Sequence, residues 1–144
     1  MIIGRETVAH RLSATIYNQS NELPHLRHIV EAFLPPQQIK KKIRYAIDLI
    51  LEEVITNVID HGYEDRQQHE ITVRLQVDKG QVAIRVEDDG KPFNPLAAPR
   101  LNTKNPSLER LEGGLGIHLV RSLMNSMAYH RDQGKNIFEI WLRY

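Results

Sequence analysis

One stretch, Ala46 to Tyr63 (AIDLILEEVITNVIDHGY), limits what this chain can fold into more than any other. Ile47, Leu51, Val54 and Val58 recur at the spacing of a helix face that packs on a core. Glu53, Asn57 and His61 lie four residues apart, so on an α-helix they stack one above another beside that apolar face. A carboxylate and an amide at the edge of a buried stripe must be paired or used, because leaving either unpaired costs about 1–3 kcal/mol. The same spacing separates two neighbouring acids. Glu53 shares the face of Asn57, whereas Glu52 sits about 100° round the helix and should be more solvated.

Around this helix the chain has material for one domain, spanning residues 1–144, with 41% hydrophobic residues to fill a single core. Nineteen basic and eighteen acidic residues leave a formal net charge of +1, which argues against a nucleic-acid partner. The absence of cysteine excludes a disulfide framework, a thiolate zinc site and a cysteine nucleophile, and suits a cytoplasmic location. No segment approaches the roughly 20 apolar residues that span a bilayer, so no membrane partner is expected.

In chain order, Leu12 to Asn18 reads as a first strand. Ser20-Asn21-Glu22 can cap a helix that carries Leu26, Ile29, Val30 and Phe33 inward and ends near Leu34. Pro36 suits the first position of the long helix, and Gly62 its stop. Lys40, Lys41, Lys42 and Arg44 read as a solvated face. Ile71 to Val77 and Val82 to Val86 alternate apolar with polar residues about Asp78-Lys79-Gly80, the pattern of a hairpin. Residues 94–112, broken by Pro95, Pro99 and Pro106, read as a long loop of the kind that serves as an active-site lid. Gly116 to Met127 reads as a helix with Met124 and Met127 inward, and a last hairpin turns at Asp132-Gln133-Gly134-Lys135.

Two short segments carry chemistry. Val82, Ile84 and Val86 point inward on a strand of period two, so Asp88 follows them into the core while Asp89 faces out. Gly90 then permits a close backbone approach. Further on, the Gly113-Gly114-Leu115-Gly116 run precedes a helix, where free amide hydrogens and the positive end of the helix dipole can meet phosphate oxygens. It lacks the Gly-Lys-Ser/Thr of a Walker loop and the leading strand of a Rossmann turn.

Glu53-x-x-x-Asn57, the Asp88 to Pro92 segment and the Gly113 to Gly116 run occur in the order found in the GHKL, or Bergerat-fold, nucleotide-binding module, and the chain resembles that family from about Ser13 to Leu142. The resemblance is closest to the anti-sigma-factor serine/threonine kinases. It implies an α/β two-layer sandwich, with a mixed, mostly antiparallel sheet covered on one face by three helices and ATP lying between the layers. It implies Glu53 as the catalytic base, Asn57 as the ligand of Mg2+, and Asp88 as the acceptor for the exocyclic amine of adenine. Gly90, Pro92, Gly113, Gly114, Leu115 and Gly116 complete the implied ATP contacts, and Arg100, Lys104 and Arg110 are lid cations within possible reach of phosphate. The implied activity is phosphorylation of a small antagonist protein on serine or threonine, with a sigma factor as a second partner and a homodimer as a common family assembly. The alternative is a regulatory module that binds ATP or a partner without transferring phosphate. A gyrase-type ATPase is disfavoured for want of a transducer domain, and a histidine kinase because the segment before Pro35 is too short for a dimerisation helix pair. Lys91 and His118 depart from the family pattern.

Overall fold

The computed structural model describes residues 10–94 and 124–144. Strand β1 (His10–Tyr17) leads through a short 3-10 turn (Ser20–Glu22) into helix α1 (Leu23–Phe33), followed by helix α2 (Lys41–His61) and strands β2 (Glu70–Asp78), β3 (Gln81–Asp88), β4 (Met124–Asp132) and β5 (Lys135–Arg143). The five strands form one sheet in the order β1-β2-β3-β5-β4. Every pairing is antiparallel, so among the described residues the sheet is not mixed as the resemblance implied.

Period-two alternation along the strands builds the core. Ile71, Val73, Leu75 and Val77 of β2 and Val82, Ile84 and Val86 of β3 are buried, and they join Phe138, Ile140 and Leu142 of β5 in one apolar cluster with α1 and α2. Helix α2 is buried round most of its circumference. Ile47, Leu51, Val54 and Val58 lie in the core as their spacing requires, and Leu49, Ile50 and Ile55 are buried with them. Among the described residues, no helix is long and apolar enough to cross a membrane.

Four expectations need correction. The described residues contain two α-helices rather than three. The third was expected over Gly116 to Met127; its first residues fall outside the described part, and Met124 to Met127 belong to β4. Met127 pairs with Ile140 of β5, so strand register puts it on the core face, but in this edge strand it is 37% exposed rather than buried. Pro36 does not open α2, because residues 35–39 form a separate turn closed by the Gln38 and Ile39 amides on the Pro35 carbonyl, at 3.1 and 2.9 Å. Finally, Arg44 is not part of a solvated face. Its guanidinium donates to the carbonyls of Glu31 (3.3 Å), Leu34 (2.5 Å) and Ile39 (3.2 Å) and to the Glu31 carboxylate (2.8 Å).

Arg44 therefore satisfies carbonyls left free at the end of α1 and ties the connecting turn to α2. Replacing it with methionine keeps the aliphatic stem and removes every donor. Arg44→Met should lower the unfolding free energy by about 2 kcal/mol in urea titration, whereas Lys41→Met on the exposed side of the same turn should leave it nearly unchanged.

Candidate functional site

The inward face of the sheet is apolar row by row until its last row. Reading the register across, Ile71 of β2 pairs with Asp88 of β3, Asp88 with Asn136 of β5, and Asn136 with Arg131 of β4. Core residues thus give way to three adjacent polar side chains at one end of the sheet. Asp88 is 5% exposed and Asn136 only 2%. Asp89, one residue on, points outward, so strand parity separates the two aspartates as expected.

Asn136 is the centre of this row. Its amide nitrogen donates to Asp88 Oδ1 at 2.9 Å and to the Lys91 carbonyl at 2.8 Å. Its amide oxygen accepts from the Tyr129 hydroxyl (2.5 Å), Arg131 (2.9 Å) and the Phe93 amide (3.3 Å). One buried side chain thereby joins β3, β4, β5 and the segment after β3. The Gly90 amide adds a second donor to Asp88 Oδ1 at 2.9 Å. Both donors act on the same oxygen, and among the described residues none is found on Oδ2. Burial pushes the Asp88 carboxyl above the ordinary aspartate range, and the Asn136 and Gly90 donors pull it back down.

Helix α2 is joined to this row at its C-terminal end. The Lys91 amide donates to the Gly62 carbonyl at 2.8 Å. A Cβ at position 90 would stand 2.5 Å from that carbonyl oxygen and 3.0 Å from Asp88 Oδ1, so only glycine permits the approach. Nearby, the rings of His61 and Phe93 lie 5.5 Å apart. Lys91, which departs from the family pattern, directs its ammonium to Glu64 at 3.1 Å, and both side chains are exposed.

Within α2, Glu53 and Asn57 are both buried, at 4% and 0% exposure, while Glu52 is half-buried. The stripe stops there: His61 is exposed at the helix end. Among the described residues, neither the amide nitrogen nor the amide oxygen of Asn57 has a hydrogen-bond partner. The Tyr63 hydroxyl is also buried and unpartnered. Burial and the carboxylates of Asp88, Asp89 and Asp65 push that phenol well above the usual tyrosine range. Native interiors rarely leave such groups unpaired, and a ligand is one common reason.

The structure thus joins the segment that carries Asp88, Gly90 and Pro92 to the end of the helix that carries Glu53 and Asn57. Gly113, Gly114, Leu115, Gly116, His118 and the lid cations Arg100, Lys104 and Arg110 lie outside the described residues. Sequence reasoning missed Asn136, although the parity argument applied to Asp88 places it inward with Phe138, Ile140 and Leu142.

Comparison with known proteins gives the family. Residues 17–142 match the family model described as the histidine kinase-like ATPase domain. The chain belongs to that family. It is 23% identical over 134 residues to the serine/threonine-protein kinase BtrW of Bordetella bronchiseptica, covering 93% of this chain and 92% of that protein. It is 30% identical over 87 residues to an anti-sigma F factor of Clostridium botulinum, covering 59% of each. Over 101 residues it is 26% identical to the serine-protein kinase RsbW of Listeria innocua, covering 63% of this chain and 60% of that one. The chain therefore spans about six tenths of the last two relatives.

Two outcomes follow from the geometry. Asp88 has a raised pKa, so on acidification the folded protein takes up this proton before the unfolded chain does, and the cost of the buried charge, present at neutral pH, disappears as pH falls toward the unfolded value. Asp88→Asn can keep both donors on one oxygen while removing the charge. It should therefore be at least as stable as the parent at pH 7, with the difference shrinking toward pH 4 in thermal melts. By contrast, Asn136→Ala leaves the Lys91 carbonyl, the Phe93 amide and the Tyr129 hydroxyl without this partner. It should cost about 2–4 kcal/mol in chemical denaturation.

Proposed function

We propose that this chain is an ATP-binding protein serine/threonine kinase of the anti-sigma-factor type. The observation that carries the reading is the Asn57 amide, fully buried on α2 with neither polar atom paired among the described residues and one turn beyond the buried Glu53. An amide oxygen is a hard donor suited to Mg2+, so the residues present fit a divalent ion beside Asn57. When bound, that ion supplies neutralisation of phosphate charge.

The remaining roles fall to the chain's own groups. Asp88 Oδ2 accepts from the exocyclic amine of adenine, a position where guanine presents a carbonyl, while the Gly90 backbone and Pro92 lie against the base. The amides of Gly113, Gly114, Leu115 and Gly116 meet phosphate oxygens, with residues 94–112 as the lid. Glu53 accepts the proton of a serine or threonine hydroxyl as its oxygen bonds to the γ-phosphorus; the bond to the β,γ-bridging oxygen breaks and ADP leaves. The phosphorylated protein would be a small antagonist, with a sigma factor as the competing partner. The sigma factor and the serine or threonine acceptor are suggested by the names of the Clostridium, Bordetella and Listeria relatives, and the antagonist by the family resemblance. A cytoplasmic site and a single domain over residues 1–144 accord with this role.

The test begins with calorimetric titration of ATP and GTP, each with and without Mg2+. Magnesium-dependent, ATP-selective binding is expected. Absence of binding by folded protein would overturn the reading. In Glu53→Ala, ATP affinity should stay within about threefold while transfer of labelled γ-phosphate to a captured partner falls at least about 100-fold. Loss of binding in that variant would instead assign Glu53 a structural role. Asn57→Leu removes the amide without opening a cavity, and should abolish the effect of Mg2+ on affinity.

A further inference from the structure

His69, at the end of the loop between α2 and β2, has no part in the site just described, yet its ring joins two of the segments that form it. Its Nε2 lies 2.8 Å from Asp65 Oδ1. Its Nδ1 lies 3.2 and 3.4 Å from the two oxygens of Asp89. The imidazole also stacks on Tyr63, with ring centroids 4.4 Å apart and planes 18° from parallel. The backbone of His69 is fixed separately, because its amide donates to Asn18 Oδ1 at 2.8 Å. The ring is only 17% exposed, although Asp89 is half in solvent.

These contacts have a direction. Asp89 follows the adenine-facing Asp88, and Tyr63 follows Gly62, whose carbonyl receives the Lys91 amide. Tyr63 also holds a buried, unpartnered hydroxyl that feels the Asp88 charge. We propose that His69 is a positioning residue of the nucleotide site: as an imidazolium it pins Asp89 on one side and Asp65 on the other, and holds the Tyr63 ring beside Asp88. The proposal rests on the nucleotide reading above and adds a pH dependence to it.

Charge state decides whether the clamp is complete. The imidazolium donates from both nitrogens, whereas the neutral ring donates from one and turns a lone pair toward the other carboxylate. Among the described residues, Asp65 and Asp89 are the charged groups that touch it, one from the α2–β2 loop and one from the segment after β3; Tyr63 is the titratable ring stacked on it, and the residue that follows β1, Asn18, meets its backbone with a neutral amide. Both carboxylates raise the His69 pKa above its ordinary value. The clamp is therefore complete below about pH 6.5 and is lost as pH rises through the elevated value.

The experiment measures Mg-ATP affinity of the parent, His69→Gln and Asp89→Asn from pH 6 to 8.5, with circular dichroism as a check on folding. Titration of the nucleotide's own phosphate is common to all three proteins and cancels in their ratios. The parent should bind roughly fivefold more tightly than His69→Gln at pH 6, with the ratio falling as pH rises. Asp89→Asn, altered at an exposed residue, should bind more weakly than the parent at pH 6 and show a smaller pH dependence. A parent-to-variant ratio that stays flat with pH, for either variant, would overturn the proposal and leave the nucleotide reading intact. Failure of the parent itself to bind ATP would overturn both.

Discussion

The junction between the Gly62 carbonyl and the Gly90–Lys91 backbone decides where the rest of the site stands. The Lys91 amide on the Gly62 carbonyl ties the end of helix α2 to the segment after strand β3, and the His61–Phe93 and Lys91–Glu64 contacts lie beside it. It requires a residue without a Cβ at position 90, since the added carbon would meet a carbonyl oxygen at 2.5 Å. A backbone junction of this kind leaves no freedom for repacking to absorb a change, unlike a contact between flexible side chains. Asp88 on one side and the polar residues of α2 on the other inherit their relation from it.

Stability and the site pull in opposite directions in this fold. The sheet could have ended in another apolar row, and α2 could have carried a leucine at position 57; either would have been cheaper than a buried carboxylate or an unpaired amide. At Asp88 both protein donors fall on one oxygen; they pull the carboxyl's pKa down against the upward push of burial and leave the second oxygen without a donor among the described residues. At Asn57 nothing comparable is done. Its unpaired state is therefore the sharper sign that something other than folding fixes the residue there.

Much of this was legible before any coordinates. Helical spacing selected Glu53 over Glu52, strand parity selected Asp88 over Asp89, and both depend only on local geometry, which sequence encodes directly. Parity along β5 marks Asn136 as inward, but its pairing with Asp88, nearly 50 positions away, is a matter of register between distant strands, which leaves no local mark. The helix expected to run through Met127 failed for a related reason. Apolar residues at 123, 124 and 127 satisfy a helical period, but pairing with β5 overrides it for the described part. Arg44 was misread because four clustered cations look alike in sequence, and only the fold shows which one meets the open end of α1.

Charge sets a further condition on the proposed reaction. On the proposed reading the described groups that face the nucleotide include the carboxylates of Glu53 and Asp88, and the cation of the polar row, Arg131, is spent on Asn136 and the Gly90 and Gly134 carbonyls. Such a surface suits a neutral base, with its amine donor, far better than a polyanionic phosphate chain. On the proposed reading, neutralisation must therefore come from a divalent ion held at Asn57 and from donors that follow in the chain, the amides of Gly113 to Gly116 and the cations Arg100, Lys104 and Arg110. Base recognition and phosphate recognition would then be physically separate, the first built into the sheet and the second supplied by the metal and the segment between β3 and β4. A molecule that keeps adenine and lacks phosphates would test only the first half, so its affinity should be insensitive to Mg2+ even where that of ATP is not.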